Sequence, residues 1–284
     1  MYDNWSILIT NYGDNKILDL NLKQIRKLYP NLKIRIANDC TGENPNKYYN
    51  HPILLKYCQK YNVELLNIMF KDKDYSHRKI ESIVYGAWDK IKENYVLIID
   101  NDTILLNKGL IKFANNHFNK NKNLSVIAER IRYNNTKNFW NFKKYQPRCD
   151  RFSSWLFILN MKLLNNNNIK IGCKNKKEEE NVYIMQKKYE KEINTKLYGD
   201  PDDCGNLFLK IHFSKLDFLD LNNYFIFYCD DRVGIVNNID SISRLCKYYY
   251  HIGNYSHENK LNQDKIYKRT YDYIINQKYK IFTR

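Results

Sequence analysis

The sequence has 284 residues with a formal net charge of +16, and 43% of its residues are hydrophobic and 15% aromatic. This composition excludes an intrinsically disordered chain, and the low counts of Gly (9) and Pro (5) exclude collagen-like and linker-rich architectures. No stretch approaches the roughly 18 apolar residues of a membrane span, and the first residues lack the basic and apolar regions of a signal peptide.

The seven cysteines are scattered and none forms a CxxC pair, which predicts reduced thiols in a protein that is cytoplasmic and not secreted. The positive charge suits anionic partners such as nucleic acids, membranes or phosphorylated substrates. Asn, Lys, Ile and Tyr are also abundant, which is typical of AT-rich coding sequences such as those of giant DNA viruses. The composition therefore suggests a viral protein in a host cytoplasm, and the charge alone does not indicate a function.

The first half of the chain alternates short apolar runs with amphipathic segments. The runs predict strands, and the segments with apolar residues at helical spacing predict helices. Strands are predicted at residues 5–10, 32–37, 63–68, 95–99 and 124–128, and helices at residues 18–29, 53–61, 76–92 and 108–117. This alternation predicts an α/β fold with a mainly parallel sheet covered by helices on both faces.

The second half is less regular. Residues 130–153 are polar and aromatic and predict a long loop, after which strands are predicted at 155–159, 224–229 and 248–252. Helices are predicted at 178–192, after the acidic turn at 200–203, and at 262–277. No linker separates the halves, so we expect one domain, with residues 1–130 binding the donor, 131–260 binding the acceptor and 261–284 forming a basic C-terminal helix.

The most specific feature is the acidic turn Asp100-Asn101-Asp102, which directly follows the apolar run of residues 95–99. In an open α/β sheet, ligands bind in the crevice at the carboxyl ends of the strands. Side chains two residues apart in an extended segment point to the same side, so both carboxylates can converge on one cation. Oxygen ligands of this kind favour Mg²⁺ or Mn²⁺. The alternative is that one Asp caps the next helix and the other is an ordinary turn residue.

This combination of elements resembles the GT-A fold of nucleotide-sugar glycosyltransferases with a DxD motif. The resemblance covers about the first 130 residues well and the rest at isolated points. It implies a Rossmann-like, mixed but mainly parallel sheet and a nucleotide-sugar donor, with a UDP-sugar expected. It also implies Mn²⁺ or Mg²⁺ held by Asp100 and Asp102, and transfer of the sugar to a hydroxyl acceptor.

Further residues of the donor site follow from the same resemblance. It implies that Asp39, at the end of the second strand, accepts hydrogen bonds from the base or ribose, since a carboxylate only accepts. Tyr12, in the first loop with Thr10, would stack on the base, and Arg78 would contact the nucleotide at the start of a helix. Asn101 lies between the two metal ligands. The alternative for Asp39 is a turn residue that stabilises its own loop. The alternative for Arg78 is a solvated basic patch on the surface.

The acceptor side is implied by two later segments. The resemblance places an acidic pair, here Asp202 and Asp203, at a helix start beside the acceptor, where one of them is the general base of an inverting reaction. We favour Asp203 over Asp202, and helix capping is the alternative for both. His251 would be the third metal ligand or a contact of the diphosphate. The alternatives are a surface histidine near a turn and the nearby His257 in its place. Trp155 could stack on a sugar ring, although the sequence favours a core position at the start of a strand.

The expected function is therefore metal-dependent transfer of a sugar, with inversion, to a hydroxyl of a glycan, protein or lipid. Retention of the anomeric configuration is the alternative, because the pair here is Asp-Asp where Glu-Asp is the commoner pattern. The main alternative is a catalytically inactive protein of the same fold that binds carbohydrate or polyanions. A nucleotidyltransferase would need a Gly-rich, basic first loop, and residues 5–15 contain one Gly and neither Lys nor Arg. No nucleic-acid-binding motif is present, so no specific nucleic acid is expected. The basic C-terminal segment allows peripheral membrane contact only.

Overall fold

The computed structural model describes most of the chain. The described residues are 2–11, 16–40, 49–69, 80–131, 149–173, 176–198, 201–225, 228–229, 244–246, 248–252, 264, 267–268 and 271. For Asp203 and His251, the backbone is described and the side chain is not. The predicted site residues Tyr12 and Arg78 lie outside the described residues.

The described strands form two sheets. The strands are β1 (Trp5–Asn11), β2 (Lys33–Asp39), β3 (Glu64–Ile68), β4 (Tyr95–Asp100), β5 (Thr103–Leu105), β6 (Leu124–Ile131), β7 (Arg151–Asn160), β8 (Asp217–Asp220), β9 (Tyr228–Cys229), β10 (Arg244–Leu245) and β11 (Tyr249–His251). Seven of them form a large sheet in the order β3-β2-β1-β4-β7-β6-β8, and the other four form a small sheet in the order β5-β11-β10-β9.

The large sheet is mixed and mainly parallel. Strand β1 pairs in parallel with β2 and β4, and β3 extends this parallel half. Strand β7 is antiparallel to both of its neighbours, β4 and β6, while β8 is parallel to β6. All strands of the large sheet except β7 therefore point the same way, which confirms the predicted α/β class with a mixed, mainly parallel sheet.

Helices cover both faces of the large sheet, as predicted. They are α1 (Lys16–Leu28), α2 (Pro52–Tyr61), α3 (Ile80–Ala87), α4 (Gly109–Lys120), α5 (Met161–Asn166), α6 (Lys176–Glu192) and α7 (Asp203–Phe213). One hydrophobic core lies between the sheet and α1, α2 and α4, and the other between the sheet and α3, α5, α6 and α7. Side chains alternate across a strand, so Ile7 and Ile9 join the first core and Leu8 joins the second.

The continuous apolar runs at residues 5–10 and 95–99 form the central strands β1 and β4. All seven residues of β1 are buried, because a strand with helices on both faces leaves neither of its faces in water. Helix α2 begins at Pro52, which suits a first helical turn, after His51 accepts a hydrogen bond from the Ile53 amide. It ends at Asn62, whose left-handed backbone (φ 50°) closes the helix.

Some element boundaries differ from the prediction. The helix expected at 76–92 is described as α3 followed by a 3₁₀ turn at Trp88–Lys90. Both ends of the loop expected at 130–153 are extended, because β6 continues to Ile131 and β7 begins at Arg151. Of the described residues of the strand expected at 224–229, Tyr228–Cys229 is extended, and Tyr224 and Phe225 are not. Residues 264, 267, 268 and 271 of the predicted closing helix are helical, and the rest of it lies outside the described residues.

A buried ion pair joins β2 to the segment before β4. Arg35, which is 1% exposed, donates two hydrogen bonds to Glu93, with N–O distances of 2.7 and 3.1 Å, and a third of 2.9 Å to Glu64. Burial by itself raises the pKa of Glu93, but the hydrogen bonds from Arg35 outweigh it and hold the pKa at about 2. The ionised pair therefore contributes to stability at neutral pH.

We expect Glu93→Gln to lower the free energy of unfolding near pH 7 by about 2 kcal/mol, because it removes a charge-assisted contact from a buried guanidinium. A depressed pKa contributes stability that is complete above the unfolded value of 4.5 and is lost as pH falls toward about 2. Urea denaturation at decreasing pH should therefore show the variant and the wild type converging below pH 4.5. A difference in the free energy of unfolding that stays constant down to pH 3 would contradict this role. Glu64→Gln is the control, because Glu64 also contacts Arg35 and is more exposed than Glu93.

Candidate functional site

The predicted metal ligands lie at the carboxyl edge of the large sheet. Strands β1 to β4 are parallel, so their carboxyl ends meet at one edge. Asp100 is the last residue of β4, and Asp102 follows one residue later in the turn to β5. Asp100 is 8% exposed and Asp102 is 6% exposed. Two nearly buried aspartates, two residues apart in the chain, therefore lie where an α/β sheet binds its ligands.

Three hydrogen bonds fix the turn that carries these carboxylates. The Thr10 hydroxyl donates a 2.6 Å hydrogen bond to Asp100 Oδ1, and the Asn101 amide donates one of 3.0 Å to the Thr10 carbonyl. From helix α1, Asn21 Nδ2 donates a 3.1 Å bond to the Asn101 carbonyl. Thr10 is fully buried. The Thr10 hydroxyl therefore orients Asp100, a predicted metal ligand. The contact of Thr10 with the nucleotide stays a prediction.

The small sheet brings His251 to this turn. In the pairing of β11 with β5, His251 is opposite Thr103, and the next residue, Ile252, donates a 3.1 Å backbone bond to the Asp102 carbonyl. The backbones of His251 and Asp102 are therefore neighbours although 149 positions separate them in the sequence (251 minus 102). This is the neighbourhood in which a third metal ligand was predicted.

A buried carboxylate links the small sheet to the large one. Glu129 of β6 is 1% exposed and accepts hydrogen bonds from Trp155 Nε1, at 3.2 Å, and from the Tyr249 hydroxyl. Trp155 is 3% exposed, and its carbonyl accepts a 3.2 Å bond from the Thr103 hydroxyl. Trp155 therefore has the core position that was the alternative to sugar stacking, and it helps to fix β5 beside the acidic turn.

The acidic pair of the predicted acceptor side reaches the same edge. The register that pairs Ile99 with Leu156 places the residues before Leu156, including Arg151, beyond the carboxyl end of β4. Arg151 is 4% exposed and forms an ion pair with Asp202. Asp202 is also the N-cap of α7, because its Oδ1 accepts a 2.8 Å bond from the Gly205 amide. Both carboxylate oxygens of Asp202 are thus engaged, and Asp203 begins the helix beside it.

The capping geometry gives a stability prediction for Asp202. Asp202→Ala should lower the free energy of unfolding by about 1–3 kcal/mol, because it removes an N-cap and leaves Arg151 buried without this carboxylate. Asp202→Asn should be less destabilising, since Asn is an equally good N-cap. Thermal or urea denaturation of the two variants measures the difference. Equal losses would show that the cap contributes nothing.

A second ion pair supports the same region. Arg130 Nε donates a 3.0 Å bond to Asp150, which also accepts one of 3.1 Å from the Tyr189 hydroxyl. Burial, followed by the charges of Asp150 and Asp202, raises the pKa of Cys149 to about 12. This thiol therefore stays protonated near neutral pH, which makes it unsuited to act as a nucleophile.

Asp39 ends β2, two strands away from β4 in the sheet. The strand spacing puts its backbone roughly 10 Å from that of Asp100. Asp39 is half-buried at the same edge. The structure thus gathers Thr10, Asp39, Asp100, Asn101 and Asp102 along one edge. Among the described residues, no group of three or more His, Cys, Asp or Glu side chains is positioned to hold a metal ion.

Several residues of this edge were missed in the sequence. Glu129 directly follows the apolar run predicted as a strand at 124–128, and this position could have marked it as a buried partner. Arg151 lies in the polar segment predicted as a loop, where the sequence carries no such signal. Asn11, Asn38 and Asn67 lie at or near the carboxyl ends of successive strands. An amide at the same place in three strands was a signal for an edge network, and it was not used.

No family model matches this sequence, and a search of curated proteins finds no match. Among solved structures, residues 1–349 of TarS from S. aureus are 18% identical, over 59% of this chain and 50% of TarS 1–349, with a TM-score of 0.39. This chain thus spans half of that fragment and 30% of the longer TarS structure. The mannosyltransferase PcManGT from Pyrobaculum calidifontis, in complex with GDP-Man and Mn²⁺, is 9% identical over 72% of this chain and 69% of its own, with a TM-score of 0.41. A cytidylyltransferase from Leptospira borgpetersenii is 13% identical over 76% of this chain and 75% of its own, with a TM-score of 0.38.

These structures are named as different kinds of transferase, so their names do not indicate one reaction for this chain. Within the described part of the chain, no helix has the length and apolar character needed to cross a membrane.

Proposed function

We propose that this protein is a metal-dependent glycosyltransferase that moves a sugar from a nucleotide-diphosphate sugar to a hydroxyl acceptor with inversion. The observation that carries the proposal is the pair of nearly buried carboxylates, Asp100 and Asp102, at the carboxyl end of the central strand β4. Burying two carboxylates only two residues apart in the chain costs free energy, which a bound divalent cation would offset.

The donor set fits Mn²⁺ or Mg²⁺, because both cations prefer carboxylate oxygens. Asp100 and Asp102 would hold the ion, and His251 would be the third protein ligand. When bound, the cation would neutralise the charge of the departing diphosphate. Thr10 keeps Asp100 oriented through its 2.6 Å hydrogen bond, so one ligand is positioned before the ion arrives.

The nucleotide would lie along the edge from β4 toward β2. Asp39 would accept hydrogen bonds from the ribose hydroxyls or from a uracil N3–H, and for this reason we propose a UDP-sugar. Tyr12 would stack on the base, Arg78 would contact the phosphates, and Asn101 would line the diphosphate site. The distance of roughly 10 Å between the backbones of Asp39 and Asp100 leaves room for a ribose between base and diphosphate.

On the acceptor side, we assign the general base to Asp203. The carboxylate of Asp202 is held by Arg151 and by the Gly205 amide, so its task is to position the helix. Asp203 would take the proton from the acceptor hydroxyl as that oxygen attacks the anomeric carbon on the face opposite the diphosphate. Attack on that face inverts the anomeric centre. The acceptor is a hydroxyl of a glycan, a protein or a lipid.

The test is a thermal-shift panel of nucleoside diphosphates and nucleotide sugars, each with Mn²⁺, with Mg²⁺ and with a chelator. A ligand at about 100 times its Kd adds roughly 2.7 kcal/mol to the stability of the folded state, which gives a clear shift. We expect one nucleotide series to shift the melting temperature only when metal is present. If no nucleotide shifts it and a polyanion does so in a salt-dependent way, the alternative of an inactive polyanion-binding protein holds instead.

A further inference from the structure

Five asparagine side chains form a continuous hydrogen-bonded chain across the carboxyl edge of the parallel strands. Asn101 Nδ2 donates to Asn11 Oδ1 at 2.9 Å, and Asn11 Nδ2 donates to Asn38 Oδ1 at 3.0 Å. Asn38 Nδ2 donates to Asn67 Oδ1 at 3.1 Å, and Asn67 Nδ2 donates to Asn50 Oδ1 at 2.7 Å. This asparagine chain starts inside the predicted metal-binding turn, crosses β1, β2 and β3, and ends at an exposed residue.

The chain is polarised, because every link donates in the same direction. In each amide the oxygen is the negative end and the NH₂ group the positive end. The negative end of the whole chain is therefore the side-chain oxygen of Asn101, and the positive end is the side-chain NH₂ group of the exposed Asn50. Hydrogen bonds in such a chain strengthen one another, most of all where water is excluded, and Asn11 and Asn38 are fully buried.

The chain also fixes Asn101 itself. The Asn101 backbone amide is bonded to Thr10, its carbonyl to Asn21, and its side-chain NH₂ group to Asn11. The residue between the two carboxylates therefore has little freedom to rotate. Because Asp100 and Asp102 flank it directly in the sequence, a fixed Asn101 restricts the backbone from which both carboxylates project.

We propose that the asparagine chain is a positioning device for the cation site. It holds the acidic turn in the geometry that binds a divalent cation, because it fixes Asn101, the residue between the two predicted metal ligands. Asn11, Asn38 and Asn67 are positioning residues, since they act through Asn101. This inference rests on the proposed function and adds residues that the metal ligands themselves do not reveal.

The experiment measures Mn²⁺ affinity directly, by the electron paramagnetic resonance signal of free Mn²⁺, with and without uridine diphosphate. We expect Asn11→Ala to weaken Mn²⁺ binding by about 10- to 100-fold, the usual effect of removing a residue that orients a metal ligand. Asn38→Ala and Asn67→Ala should weaken it progressively less, because each cuts the chain farther from the turn. In a transfer assay, the Mn²⁺ concentration for half-maximal rate should rise in the same order, while the rate at saturating Mn²⁺ changes little.

A matched control separates positioning from general stability. Asn160 is also a buried asparagine with two hydrogen bonds, but it is paired with Tyr95 at the opposite edge of the sheet. Asn160→Ala should lower the melting temperature and leave the Mn²⁺ affinity of the folded protein unchanged. If Asn11→Ala does not fold, Asn67→Ala, which is half-buried, still decides the question.

The outcomes are distinguishable. If the wild-type protein binds no Mn²⁺, with or without the nucleotide, the proposed function fails and the inference fails with it. If the wild type binds Mn²⁺ and the folded asparagine variants bind it equally well, only the inference is overturned. A graded loss of affinity that excess Mn²⁺ rescues is the result that supports it.

Discussion

Asp102→Asn should reduce sugar transfer by about 10³-fold or more and remove the metal-dependent part of nucleotide binding. The substitution preserves the shape of the side chain and removes the charge that would bind the cation. Metal stabilisation of a leaving diphosphate is worth several kcal/mol in the transition state, and each 1.4 kcal/mol is a factor of about ten in rate. The measurements are the transfer rate and the Mn²⁺-dependent thermal shift of the variant.

Because Asp102 is 6% exposed, a folding defect has to be excluded. The variant should keep the circular dichroism spectrum of the wild type. Its melting temperature without metal should be at least as high, since a nearly buried carboxylate is replaced by a neutral amide. Asp89→Asn is the control, because that carboxylate is on the surface, with a side chain that is 79% exposed. Full activity of a folded Asp102→Asn protein would refute the metal site.

Asp203→Asn should lower the transfer rate by about 10²- to 10⁴-fold and leave the binding of the nucleotide sugar intact. A general base contributes about this factor, and the amide cannot accept the proton of the acceptor hydroxyl. The measurement compares kcat, and the donor Kd by calorimetry, with the wild-type values. A pH–rate profile that loses its acidic limb in the variant would identify the group as the base.

Asp202→Asn is the matched comparison for this prediction. It changes the neighbouring carboxylate in the same way and keeps the helix cap. We expect its loss of kcat to be smaller than that of Asp203→Asn, because the carboxylate of Asp202 is held by Arg151 and the Gly205 amide. The opposite order would transfer the role of base to Asp202, and unchanged turnover in both variants would remove the pair from the reaction.

Much of the large sheet could be predicted from local patterns. The apolar runs at 5–10 and 95–99 became the central strands β1 and β4, both almost entirely buried. Residues Leu18, Leu22 and Ile25, spaced as on one helix face, are fully buried on α1. Such patterns are local, and burial of one face or of a whole strand imposes them on the sequence.

Three features of the candidate site could not be predicted in this way. The antiparallel direction of β7, the pairing of β11 with β5, and the contact of Arg151 with Asp202 all join segments far apart in the chain. The strands β5 and β8 were not predicted at all, because three or four residues are too few to show a period. The asparagine chain was missed because the direction of a hydrogen bond is set by tertiary packing.

The sequence by itself determined the α/β class, the two-sided cover of helices, and the acidic turn at the end of the central strand. These follow from hydrophobic periodicity and from the position of two carboxylates in the chain. Only the tertiary structure decided which distant groups meet that turn: the Thr10 hydroxyl, the backbone of His251 and the row of asparagines. The physical reason is that strand order and register depend on hydrogen bonds between segments that are distant in sequence, and local periodicity does not specify them.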